Sequence, residues 1–267
     1  MPTLEAAGVN LYYEVYGDGP SILGIHGTPS SALLWVDAAR ELATRGSCVI
    51  YDRRGFGRSG RPDAPSAMGL HENVDDAVAL LTALGAAPAA VIGRSTGGLI
   101  ALALAHLHPE SVRALVLLEA AFFSVDQGAA AWARALRGTV LEAAQSEPEA
   151  ASEVVIRAAL GDDTWSGLPD DLRELFTAAS PAVVAEMHAS GLDLSDDPLA
   201  LSAQELTAIA CPTLLVSSEQ GPAACRLVND RLQQALPHAE TVMVSGGHLV
   251  HPAHPLVLEF LDRVLAP

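Results

Sequence analysis

The sequence predicts a mostly parallel α/β sheet flanked by helices, with a block of helices inserted between two of its strands. Three observations carry this expectation. At 267 residues the chain can bury one ample α/β core without requiring a second domain. Short apolar runs alternate with longer helical patterns up to Phe122 and again after Leu206, as in βαβ units. Between those points the strand signal disappears and only helical patterns remain.

The elements follow in order. The N-terminal stretch through Leu11-Tyr12-Tyr13-Glu14-Val15-Tyr16 reads as strands forming an antiparallel edge. Ser21–Ile25, Ser47–Tyr51, Ala89–Gly93 and Ala114–Glu119 read as buried strands, with helices over Ala32–Thr44, Gly69–Leu84 and Thr96–Leu107 between them. The insertion carries helical patterns at Ala129–Gln145, Glu149–Leu160 and Asp170–Ala179, broken by Pro148, Pro169, Pro181 and Pro198. Strand signals return at Thr213–Val216 and Glu240–Val244, and helices Ala223–Ala235 and Pro255–Leu265 complete the pattern. A helical insertion between two strands of one sheet is a lid. The expected division is a core of residues 1–121 and 207–267 and a lid of residues 122–206.

Composition narrows the function classes. Hydrophobic residues make up 50% of the chain and charged ones 18%, the balance of a packed globular protein. The net charge of −17 disfavours nucleic acid and anionic membrane surfaces, which need a basic footprint. All 15 basic residues are Arg, so no lysine is available for a Schiff base or a phosphate-binding loop. Cys48, Cys211 and Cys225 form no C-x-x-C pair, and no Cys/His or carboxylate cluster shows metal spacing, so neither metal nor organic cofactor is expected. The N-terminus lacks a basic start and an apolar h-region, and no run is apolar enough to span a bilayer. The chain reads as a soluble cytoplasmic protein.

The strongest chemical signal is Gly93-Arg94-Ser95-Thr96-Gly97-Gly98, between a strand and an Ala/Leu-rich helix. This fits the G-x-S-x-G nucleophile elbow in the strand–turn–helix context that makes it meaningful. The turn is so tight that the residues two before and two after the serine must be nearly without side chains. His26-Gly27-Thr28-Pro29 follows another strand, and the Thr28 backbone amide there could join that of Thr96 in an oxyanion hole. His26 itself reads as a brace. Near the end, Ser245-Gly246-Gly247-His248 places a histidine on a glycine-rich loop that can reach across the carboxyl ends of the strands. His248 is the expected general base. His251 and His254 read as surface or helix-start residues.

Together these pieces resemble the α/β-hydrolase superfamily over essentially the whole chain, through His26–Ser31, Trp35, the loop Tyr51–Ser59, the elbow and Gly247-His248. The resemblance implies an α/β-hydrolase fold of about eight strands with the lid after the sixth. It also implies that Asp52 and its arginine neighbours hold a turn beside the site. One position departs from the pattern. After the strand Thr213–Val216 many relatives carry an aspartate, whereas this chain has Ser218-Glu219-Gln220-Gly221-Pro222, with Gly221 at the expected acid position. A triad without its carboxylate leaves the imidazole tautomer unfixed. Glu119, at the end of the strand Ala114–Leu118, is the leading candidate, because some lid-bearing members place an acid there. Glu219 is the runner-up, and a simple strand-capping role for Glu119 is the plain alternative.

The expected chemistry is cleavage of a small-molecule carboxylic ester or lactone through a Ser95 acyl-enzyme. Carbon–carbon hydrolysis and cofactor-free perhydrolysis use the same serine triad, and a non-catalytic binding module could keep the fold. A dehalogenase or epoxide hydrolase would need a carboxylate where Ser95 stands. Trp165, Phe122, Trp132 and Met187 are the lid residues expected to meet substrate, Trp165 at the mouth of the site.

Overall fold

The computed structural model describes residues 2–266. A single eight-stranded sheet runs in the order β1-β2-β4-β3-β5-β6-β7-β8. β1 (Thr3–Ala6) and β2 (Val9–Tyr16) form the antiparallel edge, and β2 pairs antiparallel with β4 (Ser47–Tyr51). From β4 onward, β3 (Ser21–Ile25), β5 (Ala89–Arg94), β6 (Val112–Leu118), β7 (Thr213–Ser218) and β8 (Ala239–Val244) all pair parallel.

The apolar runs become strands because both faces of the sheet are covered. Every residue of β5 is buried, as a central parallel strand requires. Alternation then sorts the side chains. Leu23, Val91, Leu115 and Leu117 join one core cluster, whereas Ile22, Ala90, Ile92, Ala114, Val116 and Leu118 join the other. The first cluster is closed by α2 (Leu70–Ala83), α3 (Thr96–Leu107) and α10 (Ala223–Ala235); the second by α1 (Val36–Leu42) and α11 (Pro255–Val264). The apolar α3 is buried from Thr96 to Ala105, so it sits beneath other elements rather than on the surface.

Between the adjacent strands β6 and β7 the chain makes only helices: α4 (Gln127–Ser146), α5 (Ala150–Leu160), α6 (Asp162–Gly167), α7 (Asp170–Ala178), α8 (Ser180–Met187) and α9 (Ala203–Thr207). The excursion leaves from the carboxyl end of β6 and returns to the amino end of β7, as two parallel neighbours require. Asp126 starts α4 by accepting from the Gly128 and Ala129 amides, and Ser202 with Glu205 starts α9 as a capping box.

Several expectations need correction. Pro181 does not break a helix; it sits in the first turn of α8, where its missing N–H costs nothing. The helix expected over Ala32–Thr44 begins as a 3₁₀ turn, Ala32–Trp35, because Asp52 Oδ1 accepts the Ala32 amide at 2.6 Å and fixes the entry. The strand expected to run through Glu119 ends at Leu118, since Glu119 adopts a left-handed backbone with φ 47°. Helices α6, α8 and α9 were not separable from their polar surroundings by periodicity.

Candidate active site

Ser95 stands between β5 and α3 at φ 54° and ψ −122°, a conformation that L-residues rarely adopt. Its neighbours explain how the turn is tolerated. A Cβ on Gly93 would fall 2.2 Å from the Gly97 carbonyl oxygen, and one on Gly97 would fall 2.2 Å from that of Ile25. A Cβ on Gly98 would fall 2.7 Å from that of Ala120. The Ser95 amide donates to the Leu118 carbonyl at 3.0 Å, and the Ser95 carbonyl accepts from Gly98, Leu99 and Ala121. The backbone is pinned on both sides while the hydroxyl faces open space. Neither the Thr28 nor the Thr96 amide donates a hydrogen bond among the described residues, and the Thr96 amide lies at the positive end of α3. Two unspent donors beside a serine are what an oxyanion would require.

The structure brings Glu119 and His248 together. Glu119 Oε2 lies 2.8 Å from His248 Nδ1, and Oε1 accepts the Ser218 amide at 2.8 Å. The carboxylate is fully buried and the imidazole nearly so. The left-handed φ of Glu119 turns its side chain away from the strand direction and under the His248 loop. Gly221 completes the arrangement: a Cβ there would lie 2.2 Å from Glu119 Oε2 and 2.5 Å from Oε1. The glycine that leaves the usual acid position empty is therefore the space into which the Glu119 carboxylate projects. Glu219 is exposed; its carbonyl accepts from Arg226, and its carboxylate does not touch His248. Ser95 and His248 line the same two cavities without a direct hydrogen bond between them. Such contacts commonly tighten only with substrate present.

His26 braces the loop. Its Nδ1 is 2.8 Å from the Gly27 carbonyl and its Nε2 accepts the Arg53 amide at 2.9 Å, a pattern that demands the neutral ring. Burial and the nearby Arg53 guanidinium hold its pKa well below the usual histidine range. Asp52 also holds a turn, accepting from the Ala32 amide and from the amide and side chain of Arg58. Arg53 reaches into the helical excursion. It donates to Glu186 Oε1 at 2.6 Å and to Thr28 Oγ1 at 2.5 Å, and Thr28 Oγ1 donates to Glu186 Oε2 at 2.7 Å. The loop bearing the Thr28 amide is thus tied to α8. His254 accepts the Leu256 amide at the start of α11, as expected of a helix-start residue.

Two cavities of about 30 Å³ each meet at Ser95 and His248. One is walled by Phe123, Trp132, Leu136, Val155 and Asp193. The other is walled by Arg94, Ser30, Leu34, Ile156 and Phe176. Of the residues expected to meet substrate, Trp132 lines the first cavity. Met187 lies one step removed, in a small cavity behind Thr28. Phe122 does not line either Ser95 cavity; it is buried in the main core, and its neighbour Phe123 takes the wall position against Trp132. Trp165 is also corrected. It packs with Ile156 and Phe176 in a small cluster, so Ile156 and Phe176 face the cavity and Trp165 stands behind them. In a short helix with few apolar residues, the one large ring is consumed in holding the helix down.

Three residues escaped sequence reasoning. Asp193 lines the Ser95 cavity, and its Oδ2 is 3.2 Å from Thr96 Oγ1. Burial first, then the negative Glu186, push its carboxyl up to about 7. Glu186 lies on α8, over which the sequence pattern predicts no helix. Cys225 Sγ is 3.9 Å from His248 Nδ1, and burial together with Glu119 and Asp193 raises its thiol well above the usual range. Glu119, Cys225 and His248 are close enough for one metal ion, their ligand atoms lying within 4.8 Å of one another. An ion there would have to displace the Glu119–His248 hydrogen bond and draw the proton from a thiol that burial keeps neutral. No helix among the described residues is long and apolar enough to cross a membrane.

This sheet, elbow and carboxyl-edge histidine define a known architecture. Residues 20–255 match the family model for the alpha/beta hydrolase fold, and the chain belongs to that family. Among curated proteins it is similar to an uncharacterized hydrolase, YraK, of Bacillus subtilis (strain 168), at 38% identity over 114 residues. That match spans 43% of this chain and 42% of the relative. Among solved structures it superposes on Est816, an N-acyl homoserine lactone degrading enzyme, with TM-score 0.73 and 24% identity over 98% of this chain and 99% of that one. A thermophilic esterase from Thermogutta terrifontis gives TM-score 0.76 and 22% identity over 99% and 97%.

Proposed function

We propose that this chain is a serine hydrolase that cleaves a carboxylic ester or lactone of a small molecule. The observation that carries the reading is the pair of left-handed residues, Ser95 and Glu119, at adjacent strand ends. Strained backbone persists where the surroundings over-determine it, and here one residue presents a hydroxyl to the cavity and the other a carboxylate to His248.

In the proposed cycle, His248 Nε2 takes the Ser95 proton as Oγ attacks the carbonyl carbon. Glu119 holds the Nδ1–H and offsets the charge of the imidazolium that forms. The Thr28 and Thr96 amides stabilise the tetrahedral oxyanion. His248 then protonates the departing alcohol oxygen, and water, deprotonated by the same ring, releases the acid from Ser95. Residues 122–206 act as a lid. Its helices supply Trp132, Leu136, Val155, Ile156 and Phe176 to the walls of the two Ser95 cavities, so the position of the lid governs what the site admits. The Arg53–Glu186–Thr28 tie couples lid position to the oxyanion loop.

The test is turnover of a panel of aryl esters, small lactones and macrolactones by wild type and Ser95→Ala. The reading expects ester or lactone cleavage that falls by several orders of magnitude in the variant. Cleavage that survives the substitution would remove Ser95 from the mechanism.

A further inference from the structure

Arg94 occupies the position before the nucleophile and is almost fully buried. A buried guanidinium is normally paired, as Arg53 is with Glu186 and Arg54 with Asp76. Arg94 has no ion-pair partner among the described residues. Its one hydrogen bond, to the Val250 carbonyl, is long at 3.5 Å, and its Cζ stands 5.5 Å from the Trp35 ring centroid. Burial alone lowers its pKa to about 10, with no carboxylate to offset the cost.

The surroundings of Arg94 share the same deficit. Ser30 Oγ, Ser31 Oγ and Trp35 Nε1 are all buried without a hydrogen-bond partner. Arg94 and Ser30 wall one of the two Ser95 cavities. Ser30 and Phe176 are shared with a larger cavity of about 340 Å³, which also contains Ser31 and Arg61. Arg61 is exposed and likewise forms no ion pair among the described residues. From that outer cavity to Ser95, then, the path carries unspent donors and two unpaired cations. On the opposite side of Ser95 the ionisable wall residue is an acid, Asp193. The site is polarised across its nucleophile.

We propose that the Arg94 side of the Ser95 site is a carboxylate subsite, so that the preferred ester or lactone bears a free carboxylate on the part seated there. This rests on the serine-hydrolase reading for the chemistry at Ser95, though the subsite itself does not need turnover to bind. The guanidinium can take a carboxylate through two parallel N–H···O bonds, and the serine hydroxyls can satisfy its remaining lone pairs. A purely structural tie to Val250 would be served as well by a neutral donor, without the cost of an uncompensated buried charge.

Two measurements test the subsite. In calorimetric titration of wild type and Arg94→Met, glutarate monoamide, with one free carboxylate, should bind wild type at least tenfold more tightly than 5-methylhexanamide, whose isopropyl end mimics that carboxylate in shape. The substitution should erase that difference. In turnover, the kcat/KM ratio of mono-p-nitrophenyl glutarate to p-nitrophenyl 5-methylhexanoate should exceed ten and fall at least tenfold in Arg94→Met, chiefly through KM. Equal binding of the two amides, or a ratio that Arg94→Met leaves unchanged, overturns the subsite. Binding of glutarate monoamide that depends on Arg94, with neither ester hydrolysed, upholds the subsite and overturns the hydrolase reading.

Discussion

Substituting Gly221 with alanine probes the Glu119–His248 contact, with Ser218 Oγ the other group that the new Cβ would crowd, at 2.5 Å. Gly221 does not lie in the left-handed region, so alanine imposes no backbone strain there. The added Cβ would stand 2.2 Å from Glu119 Oε2, against an ordinary contact of 3.4 Å or more. The oxygen must therefore retreat by about 1.2 Å. That exceeds the margin of about 0.4 Å between the present 2.8 Å bond and the outer range of a good N–H···O bond. With the carboxylate displaced, His248 loses its fixed tautomer, and kcat should drop on the order of 10³-fold, about 4 kcal/mol of transition-state stabilisation. Because the clash falls on the far end of a side chain, the cost to stability should stay within about 1–3 kcal/mol. Aryl-ester kinetics and thermal melting of the same samples separate the two effects. Glu119→Gln should lose kcat comparably, on the order of 10³–10⁴, while Glu219→Gln stays within about twofold. A folded Gly221→Ala protein with near-normal kcat would refute the reasoning, and so would a harmless Glu119→Gln.

Asp193 gives predictions of opposite sign across the pH range. Its folded pKa, about 7, is raised above the ordinary aspartate value of 3.8, so the folded state holds a proton that the unfolded chain releases between those values. Stability from this group is fully present below the unfolded pKa and is lost as pH rises through about 7, a loss on the order of a few kcal/mol. Asp193→Asn should accordingly raise Tm at pH 8 and leave it near wild type at pH 4, as read by calorimetry. Beside Thr96, an ionised Asp193 also opposes the oxyanion. Activity of wild type should fall above pH 7, and that alkaline fall should be absent in Asp193→Asn; a fall of equal size in the variant would exclude Asp193 as its cause.

Much of the fold was legible because its signals are local. Ser21–Ile25, Ser47–Tyr51 and Thr96–Leu107 match their elements end for end, since each is an apolar run bounded by glycine, serine or a turn. The elbow was legible for the same reason: its glycines are dictated by contacts of 2.2 Å within a few residues or to the next strand. Glu119 was legible as a candidate through the family resemblance, together with the glycine at the usual acid position. Gly221 announced a missing side chain, while the cause, a carboxylate arriving from residue 119, depends on strands far apart in sequence lying side by side. The helical excursion between β6 and β7 resisted most. Asp193 and Glu186 gain their meaning from their places next to Thr96 and Thr28, and Trp132 and Trp165 from which neighbours their helices give them. Nothing in their local sequence records those contacts. Arg94 is visible in the elbow motif, but its lack of a counter-ion is a property of everything around it.

The central claim is that Ser95 is a nucleophile activated by His248. Its most direct measurement is intact-protein mass after reaction with a fluorophosphonate, followed by peptide mapping. The account predicts one adduct per chain, located on Ser95, absent in Ser95→Ala and formed at least a hundredfold more slowly in His248→Ala. An unmodified wild-type protein, or an adduct mapped to any residue other than Ser95, would contradict it.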